Sequence, residues 1–216
     1  MLSWIKQLCG LGRGSSKAGS YNSGPARLEQ LLKESGKAQN ASLLAFANSV
    51  SEQEFIDTVA CASLVGSAIR NGQIGQPVSL AQGTSSFQTF IFSAEQVDAV
   101  LRGASIEQSI FLLRKDPGKR SGLSYTQFAI GRAKDSDIRI VDFALSRSHA
   151  CIEIQGEGFA IRDSGSRNGT RVNGVRITTN LQPLKDGDTV TLGRYDFSFL
   201  TPSSLYKRLR HTAQGK

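Results

Sequence analysis

Five side chains in the second half of this sequence are of the types that bind an oxyanion. Arg132 follows Gly131, Ser146 and Arg147 open the run Ser146-Arg147-Ser148-His149, and Arg167 and Asn168 sit within Asp163-Ser-Gly-Ser-Arg-Asn-Gly-Thr-Arg-Val-Asn-Gly174. An arginine guanidinium is planar and donates two parallel hydrogen bonds, which matches the geometry of a phosphate. Ser146 adds a short hydroxyl donor and Arg147 a second cation. Asn168 both donates and accepts, so it can clamp a peptide main chain. Each piece is weak alone, since Gly-Arg is a common dipeptide and the asparagine-glycine pairs are ordinary hairpin turns. What counts is their order and the strand-like segments between them.

Those segments are the elements that must position the donors. From about Ser109 the apolar pattern has a period of two, and strands are predicted over 110–114, 125–131, 137–140, 149–155, 158–162, 170–172, 176–177, 189–192 and 195–200. Gly156-Glu157-Gly158, Asn168-Gly169, Asn173-Gly174 and Asp186-Gly187-Asp188 supply the turns between them. Many short strands of this kind point to a β-sandwich, whose loops can converge at one end. The first half reads differently. Residues 10–24 are dominated by glycine and serine, as in a flexible linker. Pro25 opens a predicted helix over 25–33, and a second helical patch lies around 41–47. Ser51-Glu-Gln-Glu54 is a capping box, and the apolar residues behind it predict a helix that ends near Asn71-Gly72. A loop over 71–86, a short strand over 87–92 and a helix from Ser93 through Arg102, stopped by Gly103, complete the first half.

Taken in sequence order, Gly131-Arg132, Ser-Arg-x-His and the 163–174 stretch resemble the forkhead-associated (FHA) domain, as do Leu184-Lys-Asp-Gly-Asp188 and Leu192-Gly193. The resemblance covers roughly residues 108–201. It implies a β-sandwich that reads phosphothreonine, with Arg132 and Ser146 on the phosphate and Asn168 on the peptide main chain. Arg147 and Arg167 occupy positions of additional phosphate or flanking contacts. Gly131, His149, Gly169 and Thr170 match positions that hold the loops in shape. His149 is expected to tie the Ser146 loop to the 163–168 loop, and Gly169 to take a positive φ.

The expected architecture is therefore α+β overall. A flexible segment over 1–24 and a mainly helical region of unknown function over 25–107 precede an all-β FHA-like sandwich over 108–201 and a basic tail over 202–216. The net charge of +8 is concentrated in the last two parts. Residues 1–107 hold eight basic and eight acidic side chains, whereas 202–216 hold Lys207, Arg208, Arg210 and Lys216 with no acid. That excess suits an anionic ligand without naming it. No G-x-S-x-G or Walker A motif is present, so the reading is not an enzyme, and no cofactor is expected. Cys9, Cys61 and Cys151 are far apart and only two histidines exist, which argues against disulfides or a zinc site and for a cytoplasmic location. The first ten residues are apolar only in short patches, too short for a transmembrane helix.

The function implied is a phosphothreonine-dependent adaptor in serine/threonine kinase signalling, whose partners are phosphorylated proteins. Two alternatives stay open. One is a phosphate-independent scaffold. The other is nucleic-acid binding through the basic domain and tail, against which stands the lack of grouped aromatics for base stacking.

Overall fold

A computed structural model describes residues 37–69, 109–115 and 123–214. The readings made on 1–24, 25–33, 71–86, 87–92, 93–103 and 116–118 lie outside these residues. Helix α1 runs over Asn40–Ser49. Helix α2 follows over Glu52–Val59 because Ser51 caps it, its hydroxyl accepting the Glu54 N–H at 3.2 Å. The helix stops at Ala60, which takes a left-handed φ of 45° and donates its N–H to the Ile56 carbonyl.

Here the structure corrects the sequence reading. The apolar run behind Ser51 does not stay helical to Asn71. Residues Ser63–Ile69 form a strand, β1. Its residues Ser63 to Gly66 are buried on both faces, so no alternation betrays the strand. Leu64 packs into the core between the sheets, whereas Val65 faces a second apolar cluster outside them.

The remaining strands are β2 (Ile110–Leu112), β3 (Gln127–Gly131), β4 (Ile138–Arg139), β5 (Ala150–Gln155), β6 (Gly158–Asp163), β7 (Thr170–Val172), β8 (Val175–Arg176), β9 (Gln182–Leu184), β10 (Thr189–Leu192) and β11 (Tyr195–Leu200). They form a six-stranded sheet in the order β2-β1-β11-β10-β7-β8 and a five-stranded sheet in the order β4-β3-β5-β6-β9. Among the described residues every strand pair is antiparallel except β3–β4, where Ile130 lies beside Ile138. The inward faces close on Phe128, Ile130, Ile152, Ile161, Val190 and Phe197, all fully buried. Phe159 meets Phe199 edge-on at 5.3 Å between ring centroids. Strand β9 was missed in the sequence because Gln182-Pro183-Leu184 buries only Leu184.

Residues 202–216 also differ from their reading as a tail. Pro202–Gln214 is a helix, α3. Proline suits its first turn, and Leu205 and Leu209 make a buried face that the concentration of cations concealed. They pack with Leu43, Phe46 and Phe55 over β1 and β2, and Phe55 lies 5.3 Å from the Tyr206 ring. Ser203 donates to Glu52 at 2.6 Å and Tyr206 to the Val50 carbonyl at 3.2 Å. The division at residue 108 therefore gives way to an interleaved one. A strand from the first half sits inside the sandwich, and helices from both sides of it share one cluster.

Candidate functional site

Three loops carry the candidate donors: 132–137 between β3 and β4, 140–149 between β4 and β5, and 164–169 between β6 and β7. The first two are stitched by main-chain bonds. Arg132 N–H donates to the Ser146 carbonyl at 2.9 Å, Ala133 N–H to Arg147 at 3.1 Å, and His149 N–H to Ile130 at 2.9 Å. Gly131 is the residue that permits this approach, because a Cβ there would be driven into the Arg147 carbonyl. The Arg132 guanidinium reaches the Leu145 carbonyl through Nε at 3.4 Å and lies over the Phe143 ring at 5.2 Å.

The third loop is bound to the second through side chains at three points, besides the main-chain bond from Ser164 N–H to the His149 carbonyl at 2.9 Å. Ser146 Oγ accepts the Arg167 N–H at 2.9 Å, which leaves the hydroxyl proton to point elsewhere. Asn168 Nδ2 donates to the Ala144 carbonyl at 2.8 Å. Fully buried His149 accepts the Ser146 N–H on Nδ1 at 3.1 Å and lies 3.3 Å from the Gly169 carbonyl through Nε2. With Nδ1 accepting, Nε2 carries the proton, and the ring is the neutral tautomer. Burial pulls its pKa below the usual 6.5, against the opposing pull of the Gly169 carbonyl and the Asp163 charge.

Asp163 organises the rest of the third loop. It accepts from Gly165 N–H at 2.9 Å, Ser166 N–H at 2.8 Å, Ser166 Oγ at 2.6 Å and buried Thr170 Oγ1 at 2.7 Å. Burial alone would raise its pKa, but these donors, Ser166 first, outweigh it and hold the carboxyl below the ordinary range. Gly169 follows with φ +78°.

One part of the site escaped sequence reading. Asp142 caps the 140–149 loop by accepting Ala144 N–H at 2.7 Å, and its other oxygen takes Arg194 at 2.6 Å and the Tyr195 hydroxyl at 2.6 Å. Burial, with the Asp142 hydrogen bond, pushes the Tyr195 phenol up to about 12. This buried knot anchors the loop that carries Ser146 to β11. Its only trace in sequence is a lone Asp-Phe dipeptide and Arg194-Tyr195 behind Leu192-Gly193.

The site is thus a cluster of donors in which the buried carboxylates of the second and third loops, Asp142 and Asp163, are consumed internally. Arg147, Arg167 and Asn168 are exposed and Arg132 and Ser146 half-buried. Among the described residues, the Arg147 and Arg167 side chains have no hydrogen-bond or ion-pair partner. No group of three or more His, Cys, Asp or Glu there could hold a metal.

The FHA domain family matches residues 128–193, the span that holds all three loops. A relative at 32% identity over 138 residues is the oxoglutarate dehydrogenase inhibitor of Corynebacterium jeikeium, matched over 60% of this chain and 94% of its own length. The chain belongs to the FHA-domain family. An ABC transporter ATP-binding/permease protein of Mycobacterium tuberculosis is 45% identical over 84 residues, and the chain spans only 10% of that relative's length. Among solved structures, the FHA domain of the CT664 protein from Chlamydia trachomatis is 31% identical, covers 45% of this chain and 88% of its own, and superposes with a TM-score of 0.36. No helix among the described residues is long and apolar enough to cross a membrane.

Proposed function

We propose that this FHA chain is a phosphothreonine-dependent, non-enzymatic protein-binding adaptor in serine/threonine kinase signalling, working in the cytoplasm. The observation that carries this reading is the convergence of Arg132, Ser146 and Asn168 on one loop cluster, locked by the Arg167–Ser146 and Asn168–Ala144 hydrogen bonds. Arg132 and Ser146 hold the phosphate. Asn168 contacts the peptide main chain through the part of its amide not given to Ala144. Arg147 and Arg167 add charge at the rim, while Gly131, His149, Gly169 and Thr170 fix the loops.

Each charge-assisted bond to phosphate contributes about 1.5–3 kcal/mol. Three or four of them, less the ordering of a flexible peptide, give micromolar binding, about −8 kcal/mol. Most of that affinity belongs to the phosphate. The nucleic-acid alternative loses its tail, since α3 is folded and Arg208 and Arg210 already bond Ser198 and Asn48. Titration of phosphothreonine peptides against the wild type, Arg132→Ala and Asn168→Ala tests the reading. Arg132→Ala is expected to abolish detectable binding while the fold persists. Equal binding of unphosphorylated peptides would overturn the mechanism.

A further inference from the structure

Two arginines next to this site have no evident business with each other. Arg171 on β7 and Arg176 on β8 are directly opposite across the antiparallel pair, so their side chains share a face. Like charges in that relation destabilise a hairpin. Neither side chain has a hydrogen-bond or ion-pair partner among the described residues. The arrangement therefore carries an electrostatic cost that no ion pair among the described residues offsets.

Its position is specific. The Arg176 guanidinium leans onto Gly169, where a Cβ would meet its Nε, Cζ and Nη2 at 3.0, 3.1 and 3.1 Å. Three nearly equal distances place the guanidinium face-on against the glycine, a parking place that any side chain at 169 would remove. Along the chain, the Arg167 amide touches Ser146 and, two residues later, Gly169 touches Arg176. Asn168 thus stands between the phosphate loop and a pair of cations, half-buried Arg171 and exposed Arg176, that are unpaired among the described residues.

We propose that Arg171 and Arg176 form a second anion subsite, taking a carboxylate or a second phosphate group borne by the same ligand as the phosphothreonine. The proposal rests on the phosphothreonine reading above and adds a specificity to it. The peptide clamped by Asn168 runs on past Gly169, and an acidic group on it reaches the guanidinium pair.

The test is fluorescence anisotropy with labelled phosphothreonine peptides. One has neutral flanks, one series has Asp walked through the flanking positions, and one series has a second phosphothreonine walked likewise. Wild-type protein is expected to bind an acidic member about five- to tenfold more tightly than the neutral one at a single position. That ratio is expected to fall to about one in Arg176→Gln and in Arg171→Gln, and to persist in Arg208→Gln, which removes a cation elsewhere. Thermal unfolding confirms that the variants fold, since relief of like-charge repulsion should leave them no less stable. A larger gain from Asp names the carboxylate as ligand, and a larger gain from the second phosphate names phosphate. A wild-type ratio of one at every position overturns the proposal. So does a ratio that neither variant moves, or one that Arg208→Gln lowers equally. Failure of the wild type to bind any phosphopeptide removes the parent reading, and this one with it.

Discussion

Arg167 donates its backbone N–H to the Ser146 hydroxyl at 2.9 Å, joining two loops that are 21 positions apart in sequence. The oxygen offered to a phosphate is thus the same atom that fixes the relative position of the third loop. Ser146→Ala should remove both at once. We expect phosphopeptide affinity to fall about tenfold or more, the worth of one charge-assisted bond, with a stability loss of only about 1 kcal/mol. Calorimetric titration beside urea unfolding separates the two. Undiminished affinity would take Ser146 out of the phosphate site.

His149 gives the protein a pH dependence whose sign follows from its burial. Its pKa lies below the usual 6.5, so on acidification the unfolded chain takes up the proton first. Stability is therefore level above about pH 6.5 and declines below it, by up to ~1.4 kcal/mol per pH unit, until the folded value is reached. Asp163 acts in a lower window, since its depressed carboxyl stabilises the fold above the ordinary 3.8 and loses that effect only as pH falls through its folded value. Urea unfolding from pH 8 to 5 measures the first slope. His149→Gln should flatten it, and an unchanged slope would assign the acid loss to other groups.

Tyr195→Phe deletes one hydrogen bond to Asp142 without opening a cavity. It should cost about 1–2 kcal/mol and weaken phosphopeptide binding severalfold, because the 140–149 loop is held by that knot. Loss of stability with no change in affinity would mean that the loop keeps its shape without the anchor.

Leu205→Ala tests α3. Leu205 is 1% exposed, and its truncation should destabilise the protein by about 2–4 kcal/mol while phosphopeptide affinity in the folded protein stays the same. A disordered basic tail would tolerate the change without cost.

The donors were legible in sequence because each sits in a short segment with its own local signature. Arg132 follows a strand-ending glycine, Ser146 and His149 lie three apart, and Asn168 lies inside an Asp-to-Gly turn. Ser51 announced α2 by the same kind of local rule. What stayed hidden depends on residues distant in sequence. Asp142 meets Arg194 52 positions away, and nothing near either one implies the other. Leu64 and Val65 belong to a strand buried on both sides, where apolar periodicity carries no information about strand or helix. Leu205 and Leu209 were masked by the arginines between and beside them. Arg176 looked like a surface residue of a minor strand until Gly169 was seen beneath it.

Strand β1 has a consequence for where this protein can be cut. It pairs with β11 from Ser63↔Leu200 to Ile69↔Tyr195, so β11 lies inside the sheet with neighbours on both sides. A fragment beginning at residue 108 would leave β11 as an edge strand, long, apolar and with a row of unpaired amides. Such an edge is a template for strand addition by another chain and a route to aggregation. The seven residues of β1 act as a built-in donor strand, and expression of residues 108–216 alone should give a self-associating protein unless a segment like β1 is supplied with it.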